Sequence, residues 1–161
     1  MEVRIVEFPE TTVAVAEHRG PPELEYETSK KLIEWRIQNH VSPTDHNTYG
    51  IHYTDPYTTL PADHRVDFCV SYDQPIHTNP QGIISKIIPT CRCAVTRHLG
   101  SRANNLAAVY LVNEWLPLNE ESLGNFPIFF HYVNVGPHIK DSEMITDVYL
   151  PITPSNRARW P

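Results

Sequence analysis

The sequence predicts an α+β fold: a β-α-β-β module written twice with pseudo-twofold symmetry, mostly antiparallel sheets, one main helix per half and a central groove. Three observations predict it. The chain resembles itself at a shift of 80 residues. Within each copy the apolar pattern passes from alternation to helical spacing and back to alternation. Proline occupies 15 of 161 positions, against a usual ~5%, which disfavours long helices and ends strands sharply.

The repeat is written in His18 and His98, and the same spacing relates Pro9 to Pro89, Ala14 to Ala94, Val15 to Val95, Gly20 to Gly100, Glu34 to Glu114 and Trp35 to Trp115. Seven of the 28 positions between 8–35 and 88–115 are identical, where average composition would give roughly one or two. Asp67-Phe68-Cys69-Val70 aligns with Asp147-Val148-Tyr149-Leu150 at the same shift, and His52-Tyr53 with His131-Tyr132 at a shift of 79.

Each copy opens with a β-rich run closed by glycine, Thr12–His18 and Arg92–His98. Pro21-Pro22 suits a helix start, where a missing N–H costs little. Leu24, Thr28, Leu32 and Trp35 then share one helix face. The second helix is expected to carry Ala108, Val112 and Trp115 on that face and to end at Leu116-Pro117. Two further strands complete each copy: Tyr49–Thr54 with Arg65–Ser71, and Ile128–Val133 with Ile145–Leu150. Asp55-Pro56, Leu60–Asp63 and Gly136-Pro137 supply turn signals between them. The expected organisation is one domain over 1–152, with half-repeats at about 1–73 and 82–152, a connector at 74–81 and a tail at 153–161.

Size and charge narrow the class. A chain of ~150 residues buries about 68–70% of its unfolded surface, enough for a core without staples. Thirteen Lys and Arg against 19 Asp and Glu leave a net charge of −6. Direct nucleic-acid binding, which needs a basic face to displace counterions, is therefore not expected. The only basic cluster, Arg157 with Arg159, reads as a solvated terminus. Nothing at Met1-Glu2-Val3-Arg4 resembles a secretory leader, and no run approaches the ~18 apolar residues of a membrane span. Three cysteines give no disulfide framework, so a reducing cytoplasm is expected.

Six segments, Val13–Gly20, Tyr49–Pro56, Asp67–Val70, Arg97–Gly100, Trp115–Pro117 and Thr146–Pro151, together resemble the GyrI-like small-molecule-binding domain, which also serves as the effector-binding part of some AraC-type and MerR-type regulators. The resemblance covers about residues 1–152. It implies two fused β-α-β-β modules with a pocket at their junction that takes a drug or effector. Some stand-alone members inhibit DNA gyrase, and others hydrolyse strained small molecules. Regulators of these types carry a helix-turn-helix region, and none is expected in this chain, which starts at Met1 and continues only through Thr153–Pro161 after its last strand. The family's last-but-one strand usually reads Glu-x-Tyr with the Glu facing the pocket. Here the stretch is Phe130-His131-Tyr132, so the resemblance puts Phe130 where that Glu would be.

Strand alternation assigns the faces. Val66, Phe68, Val70, Val148 and Leu150 are expected to pack under the helices, so Asp67, Cys69, Asp147 and Tyr149 point the other way, toward the groove. The family match adds Phe130 and Tyr132, and the repeat adds Ile51 and Tyr53. The expected lining is aromatic with two carboxylates, suited to a flat apolar ligand with a basic or hydrogen-bonding group, since aromatic faces attract cations at roughly 0.5–2 kcal/mol.

The remaining chemistry is thin. Cys91 and Cys93 fall on one strand face, but zinc needs about four ligands and no second pair exists, so no metal site is expected and the cysteines read as core. His18 and His98 read as structural groups bonded to backbone at the strand–helix turn, and His52 and His131 as buried and turned away from the groove. No phosphate-cradling glycine motif or hydrolase serine motif is present, and no cofactor is expected. Three functions stay open. The leading one is a non-enzymatic small-molecule effector- or drug-binding module. The second is a protein–protein inhibitor of the DNA gyrase-inhibitor type, whose acidity suits a cationic partner. The third is a hydrolase whose acid/base groups would come from Asp67, Asp147, Tyr53, Tyr132 and Tyr149.

Overall fold

In a computed structural model that describes residues 1–155, the elements in chain order are β1 (Val3–Phe8), β2 (Thr11–Arg19), α1 (Glu25–Gln38), β3 (Thr48–His52), β4 (Arg65–Ser71), β5 (Ile84–Ile88), β6 (Cys91–Leu99), α2 (Leu106–Tyr110), a π-helical turn (Leu111–Trp115), α3 (Leu116–Leu118), β7 (Glu121–Leu123), β8 (Phe129–Tyr132) and β9 (Ile145–Pro154). The class is α+β and every strand pair described below is antiparallel, as the sequence predicts. The β-α-β-β order of each copy is present, with one more strand ahead of each: β1 and β5. The last strand runs on to Pro154, into the stretch expected to be tail. Arg157 and Arg159 lie outside the described residues.

The chain divides into two compact units, 11–88 and 1–10 with 89–161. In the first, β2 pairs with β4 on one side and β5 on the other, and β3 pairs with β4. Helix α1 covers one sheet face. It is introduced by a short 3-10 turn, Pro22–Leu24. Leu32 and Trp35 pack with Ala14, Ala16, Val41, Val70 and Ile83. Leu24, inside the 3-10 turn, stays exposed because the tighter winding moves it off the helical stripe.

In the second unit β6 is the inner strand between β1 and β9, and β9 also pairs with β7 and β8. Its core holds Ala94, Ala107, Leu111, Leu116, Val148, Leu150 and Ile152. The fully buried helix positions are thus Ala107 and Leu111; Ala108 is partly buried and packs against the same core, and Val112 is exposed. The π-helical turn explains the difference. Thr28 corresponds to Ala107 and Leu32 to Leu111 at a shift of 79, whereas Trp35 corresponds to Trp115 at 80. One residue is missing from the loop before the second helix and one is added inside it. The wide turn also lets the helix pass Pro117 and continue to Leu118, because the interior bond that proline cannot make is already absent there.

The helix ends match across the repeat. Asn39 Nδ2 donates to the Trp35 carbonyl at 2.9 Å and Asn119 Nδ2 to the Trp115 carbonyl at 2.8 Å. The next residues, His40 and Glu120, both take left-handed backbone, with φ of 56° and 52°. No described helix is long and apolar enough to cross a membrane.

Candidate functional site

Residues directly opposite one another in a ladder project to the same sheet face. In the 11–88 unit Asp67 lies opposite both Glu17 and Ile51, and Cys69 opposite Val15 and Tyr49. Phe68 points the other way, against the core beneath α1. Ile51, Asp67 and Cys69 therefore share the face away from the helix, as alternation predicts for Asp67 and Cys69 and the repeat for Ile51. Tyr53 joins them: its hydroxyl donates to Asp67 Oδ2 at 2.7 Å.

Asp67 has no solvent exposure. A second donor reaches the same oxygen, Lys86 Nζ at 2.8 Å, and Lys86 also donates to Glu17 Oε2 at 2.8 Å. The like-charged Glu17–Asp67 pair, which would destabilise the ladder alone, is thus held by one ammonium. Hydrogen bonds to Asp67 and Glu17 outweigh the burial that would lower the Lys86 pKa, and the net shift is upward. The Glu17 carboxyl is held low by its bond to Lys86. The Arg65 guanidinium sits 4.0 Å from the Tyr53 ring centroid and Lys86 Nζ 5.8 Å. Burial, then the carboxylate of Asp67, pushes the Tyr53 phenol well above its ordinary value, and burial raises the Cys69 thiol. Neither group ionises readily, so the cluster presents a shielded negative charge rather than a nucleophile. Among the described residues Asp67 Oδ1 accepts no hydrogen bond.

In the second unit Asp147 is buried and accepts two bonds from Arg97, Nε at 2.8 Å and Nη2 at 3.0 Å. Tyr149 stacks on Phe129 with ring centroids 5.0 Å apart and planes 4° from parallel, and meets Phe8 edge-on at 5.4 Å. Both residues face away from the helix, as expected. Phe130 and Tyr132 do not. Phe130 lies opposite Val148 and Tyr132 opposite Thr146; Phe130 packs against the helix-side core, and the Arg102 guanidinium lies 5.0 Å from the Tyr132 ring. The positions beside Asp147 and Tyr149 are His131 and Phe129. The sequence pattern predicts that His131 turns away from that face, and the ladder instead places it beside Asp147. The His-Tyr match at a shift of 79 is a coincidence of side chains: by ladder position Ile51 corresponds to His131 and Tyr49 to Phe129, at 80. One residue of slip exchanges the faces of a strand.

The duplicated histidines are structural. His18 bonds through Nδ1 to the Thr28 hydroxyl at 2.7 Å and through Nε2 to the Gly20 and Pro21 carbonyls at 3.1 and 3.0 Å. His98 Nε2 bonds to the Ser101 carbonyl at 2.9 Å. No group of three or more His, Cys, Asp or Glu that could hold a metal ion occurs among the described residues. Lys86 and Glu17 escaped the sequence reading. The usable signal was the facing pair of carboxylates, which requires a cation, but Lys86 sits on β5, a strand the sequence pattern did not reveal.

A model of the GyrI-like small molecule binding domain matches residues 1–153. The chain is 35% identical over 154 residues to the probable transcriptional regulator YgiV of Escherichia coli strain K12, covering 94% of this chain and 96% of YgiV. Its fold is similar to the EcmrR C-terminal domain, with a TM-score of 0.72 and 19% identity over 95% of this chain and 98% of that domain. Against EcmrR in its DNA complex the TM-score is 0.74 at 17% identity, and the chain spans 57% of that longer protein. The structure of SAV2435 bound to tetraphenylphosphonium matches at a TM-score of 0.56 and 11% identity over 95% of this chain and 94% of that one. With a family model over nearly its whole length and a relative this close, the chain belongs to the GyrI-like small-molecule-binding domain family.

Proposed function

We propose that the chain binds a cationic, aromatic small molecule as an effector and works without catalysing a reaction on it. The observation that carries this reading is Asp67: a carboxylate with no solvent exposure, an oxygen without a hydrogen bond among the described residues, and an aromatic ring, Tyr53, bonded beside it. A buried charge is tolerated only when it is paired. Its present partner is the ammonium of Lys86, whose side chain is 24% exposed. A ligand cation can replace Lys86 there, which frees that side chain to water and keeps the carboxylate neutralised. Tyr53, Ile51 and Cys69 supply the adjoining surface. Asp147 and Tyr149, at equivalent positions in the other unit, are proposed to contribute the same chemistry, whereas Phe130 and Tyr132 drop out of the lining because they face the helix. The likeness in fold to SAV2435, described with tetraphenylphosphonium bound, supports a lipophilic cation as ligand class.

The test uses ions matched in shape and opposite in charge. Tetraphenylphosphonium should raise the melting temperature and tetraphenylborate should not. A ligand at about 100 times its Kd stabilises by about 2.7 kcal/mol, a shift of several degrees for a chain of this size. Asp67→Asn should abolish the shift, and Lys86→Met should enlarge it while destabilising the free protein. An equal response to both ions, or an unchanged response in Asp67→Asn, overturns the proposal.

A further inference from the structure

A second place in the molecule carries chemistry that the effector reading does not use. Cys91 and Cys93 project from the same face of β6, and their Sγ atoms lie 3.5 Å apart. Cys93 is fully buried and Cys91 half-buried. Cys91 lines an open pocket of about 710 Å³, together with Thr90, Arg92, Ser122 and Phe126. The ring of Phe126 extends the aromatic cluster of Phe129, Tyr149 and Phe8. The pocket lies wholly within the unit formed by 1–10 and 89–161.

The separation of the sulfurs discriminates among their possible reactions. Direct oxidation needs an S–S bond of about 2.05 Å and Cα atoms within about 6.8 Å. Residues two apart in an extended strand sit at about that upper limit. β6 is paired with β1 through Cys91, Arg92 and Cys93, and with β9 from Cys93 onward, so buckling it to bring the thiols together would break the β1 ladder. A single atom bonded to both sulfurs at about 2.3 Å, a length typical of metal–thiolate bonds, spans 3.5 Å with an angle of roughly 100°. That is the angle of a trigonal-pyramidal centre. A linear two-coordinate metal would need the sulfurs well over an ångström farther apart. A tetrahedral metal would need protein ligands beyond the two thiols, and no third His, Cys, Asp or Glu joins them among the described residues.

We propose that Cys91 and Cys93 form a dithiol site for a trivalent aryl arsenical, with arsenic bridging the two sulfurs and the aryl group in the pocket beside Phe126. The reaction balances without a redox step. An arylarsine oxide plus two thiols gives the aryl dithioarsinite and one water: two As–S bonds form, two S–H bonds and the As–O bonds break, both thiol protons leave with the oxygen, and arsenic stays trivalent. Cys91 is the thiol that lines the pocket, and its hydrogen bond with Cys93 lowers its pKa, so Cys91 attacks first. The aryl carbon supplies the third bond of the pyramid, the one the protein does not provide.

Phenylarsine oxide added to the intact protein tests the site. Mass spectrometry should show one phenylarsenic unit per chain. A thiol count in denaturant should leave one of the three cysteines reactive, Cys69. Ethanedithiol should reverse the adduct and a large excess of glutathione should not. Cys69→Ser should keep it and Cys91→Ser should lose it. Arsenite, lacking the aryl group, should bind at least tenfold more weakly. An adduct that consumes one thiol, yields to glutathione or survives in Cys91→Ser overturns the proposal, and the wild-type thiol count decides even if a variant folds poorly. Equal binding of arsenite overturns the role of the pocket.

Discussion

Asp67 and His52 show how burial and the groups beside it together set the chemistry of single residues on neighbouring strands. Asp67 projects away from α1, and its charge there is held by Lys86 and Tyr53. His52 lies opposite Val66, on the other face of the same ladder. Burial, reinforced by His64, pushes its pKa from about 6.5 down to about 4. A base whose folded pKa lies below its unfolded value stabilises the fold while neutral. That contribution is complete above pH ~6.5 and is lost as pH falls toward 4, where the folded form must also take the proton. The loss is on the order of 3 kcal/mol at one pKa unit per ~1.4 kcal/mol. His52→Asn should therefore be less stable than wild type at neutral pH, and the difference should shrink as melts are repeated down to pH 4.5. A difference that stays constant with pH would show that His52 titrates alike in both states. The face of Asp67 and Cys69 was legible because period-two alternation in Arg65–Ser71 leaves no other assignment, whereas Ile51 was reached through the repeat, from a match to Phe130 that the ladders replace with His131. The charge partners were not legible, because alternation within one strand says nothing about which cation a neighbouring strand brings.

Among the elements, the two helices carry the same lesson in a form that melting experiments can separate. α1 follows the plain 3.6-residue spacing, and Leu32 and Trp35 are buried as that spacing requires. The second helix keeps the endpoints of the repeat, Gly100 and Trp115, yet buries Ala107 and Leu111 through its π-helical turn. Copying the first helix onto the second at a constant shift consequently selects Val112, a residue that faces solvent. The physical signal was Pro117, which an unbroken helix cannot accommodate in its last turn without surrendering a backbone bond. Leu111 has no solvent exposure, so Leu111→Ala should cost about 2–5 kcal/mol in urea unfolding. Val112→Ala should cost less than about 1 kcal/mol. Equal costs would mean that the helix is regular and that the two residues share the buried face. The short strands β1 and β5 were illegible for a related reason. Their outward residues, among them Arg4, Ile5, Ser85 and Ile87, mix apolar with polar, so no clean alternation marks them.

The whole molecule is organised by where those two unforeseen strands pair. A contiguous reading of the repeat would lay β1 beside β2, its neighbour in sequence. The ladders instead place β1 against β6, with Val3 opposite Thr96 through Phe8 opposite Cys91, and place β5 against β2. The strand that opens each copy thus completes the sheet of the other copy, and the compact units are 11–88 and 1–10 with 89–161. Phe8 meets Phe129 edge-on at 4.9 Å, so β1 also contributes to the aromatic cluster of that unit. Removing residues 1–10 should leave β6 with one bare edge and should strip Phe8 from Phe129. The expected loss is at least the ~3–5 kcal/mol of deleting one buried phenylalanine. Hydrogen exchange locates the damage. Amides of 91–99 should lose protection in the truncated protein, while those of 11–19, paired with β4 and β5, should keep theirs. Loss of protection in 11–19 with 91–99 intact would restore the contiguous pairing and refute the exchange of strands. Because Cys91 and Cys93 lie on the edge that β1 covers, the same truncation should speed their reaction with a bulky thiol reagent, and Cys69, on β4, should gain no comparable reactivity.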